Sequence, residues 1–98
     1  MVLTDQQRLS ELCRKYGIRK LSVFGSTVRG EQTTESDIDL LVEFDPDRHL
    51  SLIERESLDV EMSALFGGRR VDLVNRKYLN RHMAPMILAE AELQYAEG

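Results

Sequence analysis

The amino-acid sequence predicts an α/β (α+β) fold in which a small mixed sheet is flanked by helices. Three short segments, 20–24, 36–44 and 70–74, are mostly apolar and bounded by turn residues, which is typical of buried strands. Two longer segments, 4–17 and 50–66, repeat apolar residues at spacings of three and four, which indicates amphipathic helices. Because helices and strands alternate along the chain, we expect the helices to pack against the sheet.

The first helix is predicted over 4–17. Thr4 and Gln7 form a capping box at its start, and Gly17 suits the left-handed position that often ends a helix. The apolar stripe of this helix predicts four residues that face the core: Leu9, Leu12, Cys13 and Tyr16. The chain then enters the first strand.

A glycine-serine pair, Gly25-Ser26, ends that strand, and the next four residues suffice for only a helical turn or two. Glycine lets the backbone approach a ligand closely, serine offers a hydroxyl and a good N-cap, and free N–H groups at a helix start attract phosphate oxygens. The pair therefore indicates a phosphate-binding turn, with an ordinary turn as the alternative interpretation.

Two aspartates stand near the start of the next predicted strand, 36–44. Because side chains alternate along a strand, Asp37 and Asp39 share one face, while an apolar set takes the other face: Ile38, Leu40, Val42 and Phe44. Two carboxylates this close repel each other, and a divalent cation relieves the repulsion. Hard oxygen ligands suit Mg²⁺ or Mn²⁺ better than zinc. A solvated strand end is the alternative interpretation.

A third carboxylate, Asp72, lies in the middle of the segment 70–74, after the turn signal Gly67-Gly68. If this strand lies next to the one that carries Asp37 and Asp39, three carboxylates converge on a site large enough for two metal ions. The alternative interpretation is an edge-strand aspartate that faces solvent.

The other elements predict a scaffold. The helix over 50–66 presents its own apolar stripe, a last helix over 83–91 tolerates Pro85 in its first turn, and a terminal strand covers 92–97. The stripe of the second helix consists of four residues: Leu58, Met62, Leu65 and Phe66.

Four side chains outside the motifs receive simple predictions. Met83 and Met86 are assigned to the core, with a surface that binds a partner as the alternative. His49 and His82 lack the spacing of metal ligands, so both are predicted on the surface.

Composition limits the remaining functions. The 98 residues predict one domain, 1–98, with no room for a second substrate domain, so we expect the phosphate and metal site to lie on an open face. With 17 acidic and 13 basic residues the net charge is -4, and no Lys/Arg stripe predicts direct binding of nucleic acid. Five clustered basic residues are assigned to solvated surface, with phosphates or an acidic partner as alternatives: Arg69, Arg70, Arg76, Lys77 and Arg81.

The sequence also predicts the cellular compartment of the protein. A single cysteine forms no internal disulfide, and no segment resembles a signal peptide or reaches the length of a membrane span. We therefore expect a cytoplasmic protein that has no contact with a membrane.

The combined motif resembles the DNA polymerase β-type nucleotidyltransferase superfamily. It consists of Gly25-Ser26, a spacer of ten residues, Asp37-x-Asp39 and Asp72 in a downstream hydrophobic strand. The small size, Arg29-Gly30 and the segment 36–42 resemble the minimal nucleotidyltransferases (MNT), the antitoxins of prokaryotic HEPN/MNT toxin–antitoxin pairs. The similarity extends from about residue 9 to residue 95.

The resemblance implies a polymerase β-type fold and a role for each matching residue. Gly25 and Ser26 hold the triphosphate of ATP, and Arg29 reaches a phosphate. The alternative for Arg29 is an ion pair with Glu31 on the surface. Three residues bind two Mg²⁺ ions, or Mn²⁺, and are catalytic: Asp37, Asp39 and Asp72. Asp72 also takes the proton of the attacking group.

The resemblance also implies the reaction and the partner. An enzyme of this kind transfers AMP from ATP to a tyrosine of a cognate HEPN-domain ribonuclease toxin and so neutralises it. The alternative is a non-catalytic antitoxin that inhibits its toxin by forming a stable complex. A nucleotidyltransferase that acts on small molecules is disfavoured by the missing second domain, unless homodimerisation supplies a cleft.

Overall fold

The computed structural model describes residues 5–25, 28, 30 and 37–97. In that part of the chain, three α-helices and four strands match the predicted order. The helices are α1 (Gln6–Tyr16), α2 (Leu52–Leu65) and α3 (Ala84–Glu90), and a short 3₁₀ helix covers Arg76–Tyr78. The strands are β1 (Ile18–Phe24), β2 (Ile38–Phe44), β3 (Val71–Asn75) and β4 (Glu92–Ala96). Both the predicted fold class and the terminal strand are confirmed.

The four strands form one mixed sheet in the order β3-β2-β1-β4. β1 is antiparallel to both of its neighbours, whereas β2 and β3 are parallel. A parallel pair needs a long crossover connection, which α2 provides here. The starts of β2 and β3 therefore lie side by side at one edge of the sheet.

The core lies between one face of the sheet and the helices α1 and α2. The two apolar stripes predicted from the sequence are buried there, together with alternate residues of β2: Ile38, Leu40 and Val42. Burial raises the pKa of the Cys13 thiol to about 12, so this thiol stays protonated and serves as a core side chain. The opposite face of β2 carries Asp39 and Glu43 together with Leu41.

Both long helices begin with a side-chain cap that the sequence interpretation did not identify. At α1 the N-cap is Asp5, whose Oδ1 accepts the N–H of Arg8 at 3.0 Å. The predicted N-cap, Thr4, lies outside the described residues. Because the N-cap is Asp5, the prediction was wrong by one position. At α2, Ser51 and Glu54 form a reciprocal capping box with two bonds of 3.1 Å.

The assignment of Met83 and Met86 to the core is wrong, because 49% and 58% of their surfaces are exposed. α3 has only seven residues, and within it only Ile87 is buried, so a short helix offers one anchor rather than a full apolar stripe. His49 and His82 are exposed, as predicted. None of the described helices is long and apolar enough to cross a membrane.

We expect Leu58→Ala to lower the free energy of unfolding by about 2–5 kcal/mol, because it removes a fully buried side chain from between α2 and the sheet. Val60→Ala on the same helix is the matched control: Val60 is 71% exposed, and the expected change is within about 0.5 kcal/mol. Urea denaturation followed by circular dichroism measures both values. Equal losses in the two variants would contradict this description of the core.

Candidate active site

Three aspartates lie on one face at the edge where β2 and β3 begin. Asp39 and Asp72 are direct neighbours in the parallel register, so their side chains point to the same side of the sheet. Asp37 immediately precedes β2 and lies two positions before Asp39, with Ile38 between them, which gives it the same orientation. The N–H of Ile38 donates to the carbonyl of Arg70 at 2.9 Å and fixes the two strand starts together.

The side chains of these aspartates differ in exposure. Asp37 and Asp72 are exposed, whereas Asp39 is partly buried. Across residues 5–25, 28, 30 and 37–97, no three His, Cys, Asp or Glu side chains come together closely enough to hold a metal ion. The backbone thus aligns the three residues, but their oxygens are not drawn together.

Gly25 ends the neighbouring strand and lies directly against Asp39. Its φ of 68° is in the left-handed region, and a Cβ at this position would lie 2.5 Å from Oδ2 of Asp39. The N–H of Val28 donates to the carbonyl of Gly25 at 3.1 Å, which closes a turn after the strand. Glycine is therefore required here for two reasons: the backbone conformation and the space beside the carboxylate.

The other two predicted nucleotide-binding residues, Ser26 and Arg29, lie outside the described residues. So does most of the short helix predicted over 27–30, of which the structure describes residues 28 and 30.

Glu90 is a further acidic residue of this region, and the sequence interpretation missed it. The N–H of Gly25 donates to its Oε1 at 2.9 Å. Nothing in the local sequence marks this glutamate, because it ends a short helix 65 residues after the glycine. The pairing of β4 with β1 could have revealed it: Glu92 lies opposite Val23, which carries the preceding residues toward the end of β1.

The predicted basic cluster divides between two ends of the sheet. Arg70 lies beside the strand starts through the backbone bond to Ile38, whereas Arg76 and Lys77 follow the end of β3. These last two line a cavity of about 590 Å³, together with residues that follow β2. That cavity contains none of the three aspartates, so it is separate from the candidate active site.

The comparisons with known proteins agree with this geometry. A family model described as a nucleotidyltransferase domain matches residues 6–93. The protein adenylyltransferase MntA of Thermococcus cleftensis is 41% identical over 89 residues, which cover 91% of this chain and 85% of that protein. The match therefore spans the described site and most of the relative.

Two solved structures share the fold. A provisionally assigned minimal nucleotidyltransferase is 34% identical with a TM-score of 0.72, covering 89% of this chain and 86% of the other. A toxin–antitoxin complex with AMP-PNP contains a chain with a TM-score of 0.70, over 95% of this chain and 74% of that one. The latter is 21% identical, so it supports the fold alone.

The sequence matches indicate the same family as three structural features: the turn at Gly25, the aligned aspartates and the order of the strands. This chain belongs to the nucleotidyltransferase domain family and, within it, to the minimal nucleotidyltransferases of the MntA type.

Proposed function

We propose that this protein is a Mg²⁺-dependent protein adenylyltransferase that acts as an antitoxin. The observation that carries the proposal is the register of Asp39 with Asp72, with Asp37 on the same face and Gly25 against Asp39. Transfer of a nucleotide requires carboxylates beside a turn suited to phosphate, so this arrangement supports the proposal. The 41% identity to a protein adenylyltransferase supports AMP as the group that is transferred.

Asp37, Asp39 and Asp72 are the residues that would hold the metal ions. Their oxygens are hard donors, they share one face of the sheet, and Gly25 leaves the space beside Asp39 free of a side chain. This donor set fits Mg²⁺, and Mn²⁺ as the alternative. When bound, such ions activate an acceptor hydroxyl and neutralise the leaving pyrophosphate.

The residues of the chain bind and orient the reactants. The turn at Gly25 and Ser26 holds the triphosphate of ATP, and Arg29 reaches a phosphate oxygen through its guanidinium group. The acceptor oxygen bonds to the α-phosphorus as the bond from that phosphorus to pyrophosphate breaks. Asp72, on the outer strand of the parallel pair, takes the proton of the acceptor at a carboxylate oxygen.

A macromolecular acceptor fits the open geometry of the site. Asp37 and Asp72 are exposed, so an acceptor side chain can approach them from solvent on the surface of another protein. Among the related folds is a solved complex of an MNT antitoxin with a tri-AMPylated HEPN toxin of Shewanella oneidensis. We infer that the acceptor here is a tyrosine of a cognate HEPN ribonuclease toxin. The reaction takes place in the cytoplasm, where Mg²⁺ and ATP are available.

Neutralisation by binding alone is the second candidate function. Solved structures of related fold include MntA–HepT toxin–antitoxin complexes, which favours a stable assembly in addition to catalysis. The two functions differ in their need for the aspartates, since masking a toxin requires only the interface.

A viability assay separates these functions. The toxin encoded beside this gene is expressed together with the wild-type chain, with Asp39→Asn or with no antitoxin. If the protein is an adenylyltransferase antitoxin, the wild-type chain restores growth and Asp39→Asn does not. If it acts by masking, both chains restore growth equally well. Equal amounts of both variants, checked by immunoblot, are the control for expression.

A further inference from the structure

The N–H group of Gly25 is already occupied by an acidic side chain of the same chain. Oε1 of Glu90 accepts it at 2.9 Å in a partly buried setting. This glycine belongs to the turn that holds the triphosphate under the proposed function, on which the present inference rests. A backbone N–H carries one hydrogen, so a phosphate oxygen and Glu90 compete for it.

The position of Glu90 is set by the sheet. It is the last residue of α3, and Ala91 separates it from β4, which pairs antiparallel with β1. The pair Val23 and Glu92 aligns the start of β4 near the end of β1, so the end of α3 projects toward Gly25. The contact therefore follows from the strand register.

Charge makes the competition unfavourable for a nucleotide. A carboxylate and a phosphate oxygen are both anionic acceptors and cannot share a donor without repulsion. Asp39 lies on the other side of the same glycine, with Oδ2 at 2.5 Å from the position of a Cβ. Gly25 thus lies close to two carboxylates, and Glu90 is the one that accepts its N–H.

We propose that Glu90 competes with a phosphate oxygen for the Gly25 N–H and is displaced when the triphosphate binds. Glu90 is then a positioning residue that lowers the affinity of the turn for the nucleotide. Its displacement also links nucleotide binding to α3, where Ile87 is the only buried anchor.

Two substitutions distinguish competition with the nucleotide from a purely structural role of Glu90. Glu90→Ala removes both the acceptor and the charge, whereas Glu90→Gln keeps an oxygen acceptor and removes the charge. A competitor predicts tighter nucleotide binding in both variants. A purely structural role predicts weaker nucleotide binding in Glu90→Ala and wild-type nucleotide binding in Glu90→Gln.

The test measures dissociation constants by isothermal titration calorimetry with Mg²⁺ and two probes. One probe is α,β-methylene-ATP, which cannot release AMP, and the other is inorganic tripolyphosphate, which lacks the base. We expect Glu90→Ala to bind both probes roughly tenfold more tightly than the wild type, the usual size for the loss of a competing charged hydrogen bond. Glu92→Gln, an exposed position two residues later, is the control for net charge and should leave both constants unchanged.

The possible outcomes separate the inference about Glu90 from the proposed function. Unchanged or weaker binding in both Glu90 variants, with the wild type binding both probes, overturns the inference and leaves the proposed function standing. A wild type that binds neither probe with Mg²⁺ overturns the proposed function and the inference together. Thermal unfolding of each variant shows that the fold is intact. In steady-state kinetics the inference predicts a lower KM for ATP without an equal rise in kcat.

Discussion

Asp39→Asn is expected to reduce AMP transfer by about a thousandfold or more while leaving the fold intact. The amide has the shape of the carboxylate but no charge, so it binds a divalent cation poorly, and loss of such stabilisation costs several kcal/mol of activation free energy. Asp39 is only partly buried, so we expect the free energy of unfolding to change by less than about 1 kcal/mol. The measurement is the initial rate of transfer of labelled AMP to the partner protein.

Asp47→Asn provides the matched control for this prediction. Asp47 follows the opposite end of β2, is exposed, and loses the same charge. Its rate should equal that of the wild type. Normal transfer by Asp39→Asn would contradict the assignment of the metal site, and a collapse of both rates would indicate an effect of net charge.

Gly25→Ala is expected to abolish most of the activity and to destabilise the protein. Alanine at a φ of 68° costs about 1–2 kcal/mol, because its Cβ approaches the following carbonyl group. That Cβ would also lie 2.5 Å from Oδ2 of Asp39, so either the turn or the carboxylate must shift. Displacement of a catalytic group by about 1 Å lowers rates by roughly a hundredfold. Initial rates and urea denaturation measure the two effects.

Gly67→Ala isolates the backbone contribution. Gly67 has a φ of 73°, but nothing lies within 4 Å of its Cβ position. We expect a loss of stability similar to the backbone share of Gly25→Ala, with a normal transfer rate. If Gly25→Ala retained normal transfer, the close approach of this glycine to Asp39 would have no role in the reaction.

The sequence was sufficient to predict the strand that carries the aspartates. Apart from Leu41, the segment 37–44 alternates acidic and apolar residues, and a period of two leaves a single orientation in which Ile38 and Leu40 are buried. The same pattern predicts that Asp37 and Asp39 share the opposite face. Predicting their alignment with Asp72 required knowledge of the strand order. The resemblance implied that order, and the parallel register of β2 and β3 places Asp39 opposite Asp72.

Contacts between distant segments could not be predicted in this way. Glu90 reaches Gly25 only because β4 pairs with β1, and neither the periodicity nor the composition of residues 83–91 indicates that pairing. The assignment of Met83 and Met86 to the core failed for a related reason. An apolar residue on a short helix is buried only if another element covers it, and the sequence of the helix does not show whether one does.

Local capping was misjudged because several residues near each helix start satisfy the same chemistry. Thr4 and Asp5 are both good N-caps, and the structure uses Asp5 for the N–H of Arg8. Ser51 and Glu54 have the spacing of a capping box and form one at the start of α2. Helix boundaries were therefore predicted less well than the helices themselves.

The most direct test of the central claim is the intact mass of the partner protein after incubation with this chain, Mg²⁺ and ATP. The partner is the protein encoded beside this gene, purified separately. The account predicts a gain of one or more AMP units on that protein, which is lost with Asp39→Asn and mapped to a tyrosine by peptide fragmentation. An unchanged mass in a mixture that nevertheless forms a stable complex would contradict the proposed transfer and favour an antitoxin that acts by binding alone.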